Sequence, residues 1–85
     1  MVNVFLFIEL LKMTDASATV ERLKAIEMAN CKFANVLALN KEKIVAELDC
    51  ASYDDATAAI LKKISVVDGI VQTNIIAAVR PVHPK

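Results

Sequence analysis

The chain begins with a regular alternation of apolar and other side chains. Every second residue from Val2 to Leu10 is aliphatic, and the positions between them include Phe5 and Phe7. Successive side chains of a strand point to opposite faces of a sheet, so this pattern predicts a β-strand with one fully apolar face. The two phenylalanines predict that the second face is also shielded from solvent.

A helical pattern follows this strand. Between Ala16 and Ala29, apolar residues recur at spacings of three and four, and most charged residues lie off that stripe. Asn30 is expected to end the helix. The pattern does not choose between three N-cap candidates, which are Thr14, Asp15 and Ser17.

Two apolar runs joined by a short polar segment predict a hairpin. We expect strands at Lys32–Leu39 and Ile44–Cys50, with the turn at Asn40–Lys43. In the earlier strand, the residues expected to share one face are Phe33, Leu37 and Leu39, and those expected on the other are Ala34, Val36 and Ala38. In the later strand, Glu47 and Asp49 lie opposite an aliphatic face.

The last third of the chain predicts another helix and a final strand. Ser52 is the expected N-cap, with Asp55 in the capping-box position, and Gly69 suits a helix exit or a tight turn that needs a positive φ. The core stripe of the helix is expected to contain Ala56, Ile60, Ile64 and Val67. The final strand is Ile70–Val79, with Val71, Thr73, Ile75, Ala77 and Val79 expected on one side and Ile76 and Ala78 on the other.

The predicted order is βαββαβ, which is typical of the ferredoxin-like α+β fold. Right-handed crossovers place both helices on one face of a four-stranded antiparallel sheet. We expect one domain over residues 1–80 and a C-terminal tail over 81–85. The other sheet face is left open, and apolar residues of the first and last strands lie on it. Covering that face by self-association is the simplest solution, so a homo-oligomer is expected, with Phe5 and Phe7 as interface candidates.

Composition excludes several classes of protein. The 85 residues are 56% hydrophobic, and ten Lys and Arg balance ten Asp and Glu. Such a chain is too apolar to be disordered and lacks the basic excess of a phosphate-contacting nucleic-acid binder. The carboxylates Glu47 and Asp49 also argue against RNA binding on the sheet. No apolar run approaches the length of a membrane span and no leader pattern is present, so a cytoplasmic protein without membrane contact is expected.

Residues with catalytic or metal-binding chemistry are scarce. The single histidine, His83, lies between prolines in the tail, and two cysteines with one histidine do not complete a tetrahedral zinc site. We therefore expect no enzyme activity, no metal and no cofactor. Cys31 and Cys50 are expected to be reduced, with a disulfide between them left open, and neither has a basic cluster near it in the sequence.

The C-terminal half resembles a known family. Ser52-Tyr53-Asp54-Asp55-Ala56, followed by Val67-Asp68-Gly69-Ile70-Val71-Gln72-Thr73-Asn74-Ile75, is similar to the end of the Lrp/AsnC effector-binding domain, also called the RAM domain. Asp68 stands where the family usually has proline, and Asn40-Lys41-Glu42-Lys43 replaces its Gly-x-x-Asp hairpin. The predicted element order matches over nearly the whole chain.

The resemblance implies a stand-alone regulatory domain without a DNA-binding domain of its own. It would form a dimer or a higher ring, bind a small amino-acid-like ligand and act with a transcription regulator of the same family. The implied ligand site lies at a subunit interface near the hairpin and the start of the final strand. Its uncharged polar residues are Asn40, Thr73 and Asn74, and Lys41 and Lys43 are candidates to meet a carboxylate. Two alternatives stay open: a NapD-like chaperone that binds a peptide on the sheet, and a dimeric α+β-barrel enzyme.

Overall fold

A computed structural model describes residues 1–79 of the chain. Its strands are β1 (Val2–Leu10), β2 (Cys31–Asn40), β3 (Lys43–Cys50) and β4 (Ile70–Val79), and its helices are α1 (Ala16–Lys24) and α2 (Tyr53–Ala59). The strands form one antiparallel sheet in the order β2-β3-β1-β4. This confirms the predicted βαββαβ α+β fold. The expected tail, with His83, lies outside the described residues.

The core lies between the helices and one face of the sheet. Leu6 and Ile8 of β1 and Ile44 and Leu48 of β3 are fully buried there. Alternate residues of both strands face the core, as their period-two patterns predict, and the residues between them lie on the opposite sheet face. We call that opposite face the open face. Phe5 and Phe7 lie on it and are half-buried.

The predicted faces of β2 are wrong because the strand contains an irregularity. The pairing with β3 shifts register between Phe33 and Asn35, so Ala34 has no partner residue on β3. A bulge of this kind reverses the alternation. Phe33 and Val36 therefore both face the core, whereas Leu37, predicted to share a face with Phe33, lies on the open face opposite Val45 and is 65% exposed.

The predicted faces of β4 are wrong for the same reason. The pairing of β4 with β1 shifts between Phe5 and Leu6, so Ile75 lies opposite Leu6 and Ala77 lies opposite Phe5. Thr73 and Ile75 are thus on the core side of the sheet, and Ala77 joins the phenylalanines on the open face. This shift adds small apolar surface to the open face.

The first helix is shorter than predicted. Asp15 is its N-cap, and its carboxylate accepts the backbone N–H groups of Ser17 and Ala18 at 3.0 and 3.3 Å. The helix ends at Lys24, not Ala29, and the next turn is closed by the Ile26 N–H donating to the Leu23 carbonyl. The helical spacing continued past this point because residues 26 and 28 still pack on the core from the loop.

The second helix has the predicted cap and stripe, and it also contains a wide turn. Ser52 Oγ accepts the Asp55 N–H at 3.1 Å and donates to the Asp55 carboxylate at 2.9 Å. After α2 the chain continues as a π-helical turn over Ile60–Ile64, and Ile60 and Ile64 are buried. Residues four apart lie on the same face of a helix, so both isoleucines pack on the core.

The expectation of two reduced cysteines is wrong. Cys31 and Cys50 are directly opposite each other in the β2–β3 ladder, with their Cα atoms 4.1 Å apart, and they form a disulfide. The two residues are 19 positions apart in the sequence. Their pairing depends on the register of the hairpin, which the sequence pattern did not specify to the residue.

Candidate functional site

A cleft lies at the end of the molecule where the β2–β3 turn meets the start of α1. Its volume is about 920 Å³. One wall is formed by the segment from Lys12 to Ser17, which joins β1 to α1, and the other by Ala38 and the turn residues Asn40, Lys41 and Glu42. We call this the turn cleft. Its size is in the range that small-molecule sites occupy.

Backbone hydrogen bonds hold the walls of the turn cleft together. The Leu10 N–H donates to the Glu42 carbonyl at 2.7 Å, and the Leu11 N–H donates to the Gly69 carbonyl at 2.8 Å. The chain then reverses, with the Thr14 N–H donating to the Leu11 carbonyl at 3.1 Å. The β2–β3 turn, the β1–α1 segment and the start of β4 are therefore fixed relative to one another.

Charged side chains of both signs surround the turn cleft. Lys12 and Lys41 stand on opposite walls, and Asp15 and Glu42 accompany them. The Asp15 carboxylate already caps α1. Glu42 is therefore the acidic side chain that can meet a ligand in the turn cleft. A ligand with one carboxylate and one ammonium group matches this distribution of charge.

Two of the five predicted ligand residues line the turn cleft. Asn40 and Lys41 both do so, but the Asn40 side-chain oxygen accepts the Glu42 N–H at 2.9 Å and thereby shapes the turn. Its amide nitrogen remains available to a ligand. Lys41 is exposed, and its ammonium group can turn toward the cleft.

The other three predicted ligand residues lie elsewhere. Lys43 is on the open face, with its ammonium nitrogen 5.6 Å from the centre of the Phe7 ring. Asn74 is also on that face, opposite Phe7, and its oxygen accepts the Gln72 amide at 3.2 Å. Thr73 lies on the core side opposite Ile8. The sheet therefore separates Thr73 from Lys43 and Asn74.

The turn cleft also contains residues that the sequence interpretation did not include. Lys12, Met13 and Asp15 line it, and Met13 is 99% exposed with a positive φ of 68°. A bulky residue in this conformation is uncommon. The break in the apolar pattern after β1 predicted a loop at these residues. The contact of that loop with the β2–β3 turn depends on the strand order, which the pattern of one segment does not specify.

The open face has an apolar centre and polar ends. Phe5 and Phe7 of β1 lie at the centre, beside Val45 of β3 and Leu37 of β2. At one end, Lys43 of β3 lies opposite Glu9 of β1 in the strand register. The other end is acidic and contains Glu47 and Asp49.

The acidic end is organised by amide side chains. Asn3 donates to Asp49 and, at 3.3 Å, to Glu47, and Asn35 donates to Glu47 at 3.4 Å. These donors hold both carboxylates on the open face. The two carboxylates give this end of the open face a negative charge.

Two comparisons with known proteins gave no match for this chain. Neither the protein-family models nor the curated proteins contain a match to it. Within residues 1–79, no three His, Cys, Asp or Glu side chains converge in a way that would hold a metal ion. No helix in that part of the chain has the length and apolar character needed to cross a membrane.

Proposed function

We propose that this chain is a regulatory domain that binds a small amino-acid-like ligand and self-associates through its open face. The turn cleft carries the ligand-binding part of the proposal, because it combines a suitable volume with lysines and carboxylates on facing walls. The apolar centre of the open face supports the self-association. The resemblance to the Lrp/AsnC effector-binding domain agrees with both parts.

An α-amino acid fits the charges of the turn cleft. Its carboxylate is attracted to Lys12 and Lys41, and its ammonium group to Glu42. Each such charge-assisted hydrogen bond is stronger than a neutral one when the ligand excludes water. The Asn40 amide nitrogen adds an uncharged donor. These contacts differ from the predicted set, since they use Lys12 and Glu42 in place of Lys43, Thr73 and Asn74.

A thermal-shift screen against the twenty amino acids tests ligand binding. A ligand that binds only the folded protein raises the melting temperature. We expect one or a few amino acids to do so, and we expect Lys41→Ala to remove most of the shift. Lys43→Ala is the matched control because it removes the same charge from the open face. If Lys43→Ala removes the thermal shift and Lys41→Ala leaves it intact, the ligand binds on the open face instead.

The open face is suited to a second copy of itself. An apolar centre bounded by polar residues is the usual composition of a protein interface. The apolar side chains exposed on this face include Leu37, which is 65% exposed, and Val79, which is 48% exposed. Sheets that pack face to face interdigitate side chains of this kind.

Charge favours one orientation of the two copies. Leu6 and Ala46 are paired across β1 and β3. Consider a two-fold axis that lies between two facing sheets, at the level of this pair, and runs across the strands parallel to the sheet plane. It places Phe5 of one copy over Phe7 of the other. The same axis places Lys43 over Asp49. An axis parallel to the strands would instead bring each acidic end over the other, where like charges repel.

Substitutions on the two faces of β1 test the self-association. Phe7→Asp adds a charge to the open face, so we expect a folded monomer by light scattering. Leu6→Asp adds the same charge to the core, where Leu6 is fully buried, so we expect loss of folding. A wild-type monomer at about 100 μM, well above the micromolar affinity of weak specific complexes, would contradict the proposal. Peptide binding by that monomer would favour the chaperone alternative.

A further inference from the structure

The two sulfur atoms of the Cys31–Cys50 disulfide differ in their surroundings. Cys50 is 2% exposed and belongs to the core, whereas Cys31 is half-buried at the start of the edge strand β2. Disulfide exchange requires a thiolate to reach one of the sulfurs in line with the bond. Of the two cysteines, Cys31 is the one that a thiolate in solvent can approach.

Two clefts meet at Cys31. The larger, about 630 Å³, lies between the loop after α1 and β2. The smaller, about 230 Å³, lies between that loop and the end of the second helix. Cys31 and Met28 line both. A small molecule in either cleft is therefore next to the disulfide.

Lysines outnumber acids around these clefts. Lys24 and Lys32 line the larger cleft, and Lys62 and Lys63 line the smaller. The acids are Glu27 and Asp55, and the Asp55 carboxylate already accepts the Ser52 hydroxyl at 2.9 Å and the Asn30 amide at 3.2 Å. The sequence showed no basic cluster near either cysteine because only Lys32 is adjacent to one of them in the chain. Lys24 ends α1, and Lys62 and Lys63 lie in the π-helical turn.

We propose that Cys31–Cys50 is a site of thiol–disulfide exchange with a small anionic thiol, such as a carboxylate-bearing thiol peptide. The thiolate of that molecule attacks Cys31 Sγ, a mixed disulfide forms there, and the bond to Cys50 breaks. Cys50 leaves as a thiolate and takes a proton from solvent. A second molecule of the thiol attacks the mixed disulfide, which releases the oxidised dimer of the thiol and leaves Cys31 reduced.

The lysines account for the preference for an anionic thiol. Positive charge next to a cleft raises the local concentration of an anion and stabilises an attacking thiolate. Reduction would also remove the covalent link between β2 and β3 at the end of the ladder, where the Ala51 N–H donates to the Asn30 carbonyl at 2.9 Å. The loop that lines both clefts leads directly into that position.

Trapping the mixed disulfide tests which sulfur reacts. Cys50→Ser leaves Cys31 as a single thiol, and oxidised glutathione is expected to form a mixed disulfide with it in the folded protein. Cys31→Ser leaves Cys50, which is expected to react only after unfolding in urea. Mass spectrometry of the intact protein and of its peptides measures both. Equal reaction of the two variants in the folded state would overturn the assignment of Cys31 as the exposed site.

Two reductants of different charge test the role of the lysines in the wild-type protein. Lys62→Ala with Lys63→Ala is expected to slow reduction by glutathione about two- to fivefold, the range expected for exposed charges. Reduction by the neutral thiol 2-mercaptoethanol should be unchanged. Arg22→Ala, which removes a positive charge that lines neither cleft, should alter neither rate. The proposal would be overturned if both thiols were slowed equally, or if the purified protein lacked the disulfide. It would also be overturned if glutathione reduced the disulfide only in the unfolded protein.

Discussion

Gly69 lies against Thr14 with no room for a side chain between them. The glycine has a φ of +91°, and a Cβ atom built on it would be 2.7 Å from Thr14 Cγ2. The contact joins the start of β4 to the segment that lines the turn cleft, next to the hydrogen bond from the Leu11 N–H to the Gly69 carbonyl. The only glycine of the chain therefore has both a conformational and a steric role.

Gly69→Ala is expected to lower the free energy of unfolding by about 1–3 kcal/mol, because a Cβ atom disfavours this φ and also clashes with Thr14. Urea denaturation measures the loss. Thr14→Ser removes the clashing methyl group and should restore part of the stability of Gly69→Ala while leaving the conformational cost. If the double variant is no more stable than Gly69→Ala, steric contact with Thr14 contributes nothing.

Much of the fold was predictable because the strongest patterns are local. The alternation in β1 and β3 specifies which side faces the core, and Ser52 caps the second helix at the predicted position. The π-helical turn after that helix ends at Ile64, and Gly69 has its positive φ in the later turn before β4. The bulges at Ala34 and near Ile76 were not predictable, because apolar residues on both sides of these positions hide a change of face. The end of α1 at Lys24 was missed for a related reason, since the loop residues that follow also pack on the core.

The candidate site was less predictable than the fold. Asn40 and Lys41 lie together at the predicted turn, and both line the turn cleft. Lys43 and Thr73, however, lie on opposite sides of the sheet, and strand register decides this. The β1–α1 segment became part of the turn cleft only through its hydrogen bonds to residues far along the chain.

Met13→Gly is expected to stabilise the protein. Met13 has a φ of 68° and its side chain is 99% exposed, so glycine relieves the backbone without loss of packing. The left-handed conformation costs a residue with a Cβ atom about 1–2 kcal/mol, and part of that should be recovered in urea denaturation. Met13→Ala is the control, because it removes the exposed side chain but keeps the Cβ atom. An equal gain in both variants would assign the effect to the side chain.

Exchanging the charges of Lys43 and Asp49 tests the proposed orientation of the dimer. Lys43→Asp places two carboxylates together in that arrangement and is expected to weaken the dimer about tenfold or more. Asp49→Lys should do the same, and the double variant should recover most of the affinity. Lys41→Asp is the control, since it makes the same change of charge in the turn. Sedimentation equilibrium measures the dissociation constants, and additive losses in the double variant would rule out the pairing.

Thr73→Val is expected to stabilise the protein, although Thr73 was predicted to contact the ligand. Its hydroxyl oxygen is buried on the core side of the sheet and has no hydrogen-bond partner. A buried hydroxyl without a partner costs about 1–3 kcal/mol, and valine keeps the branched shape that suits a strand. Thr19→Val is the matched control, because Thr19 is 1% exposed and its hydroxyl donates to the Asp15 carbonyl at 3.0 Å.

Urea denaturation should therefore show a gain in stability for Thr73→Val and a loss for Thr19→Val. The thermal shift caused by amino acids in the turn cleft should be retained in Thr73→Val. A loss of stability in both variants would mean that the Thr73 hydroxyl has a partner in solution, and a lost response would return Thr73 to the ligand site.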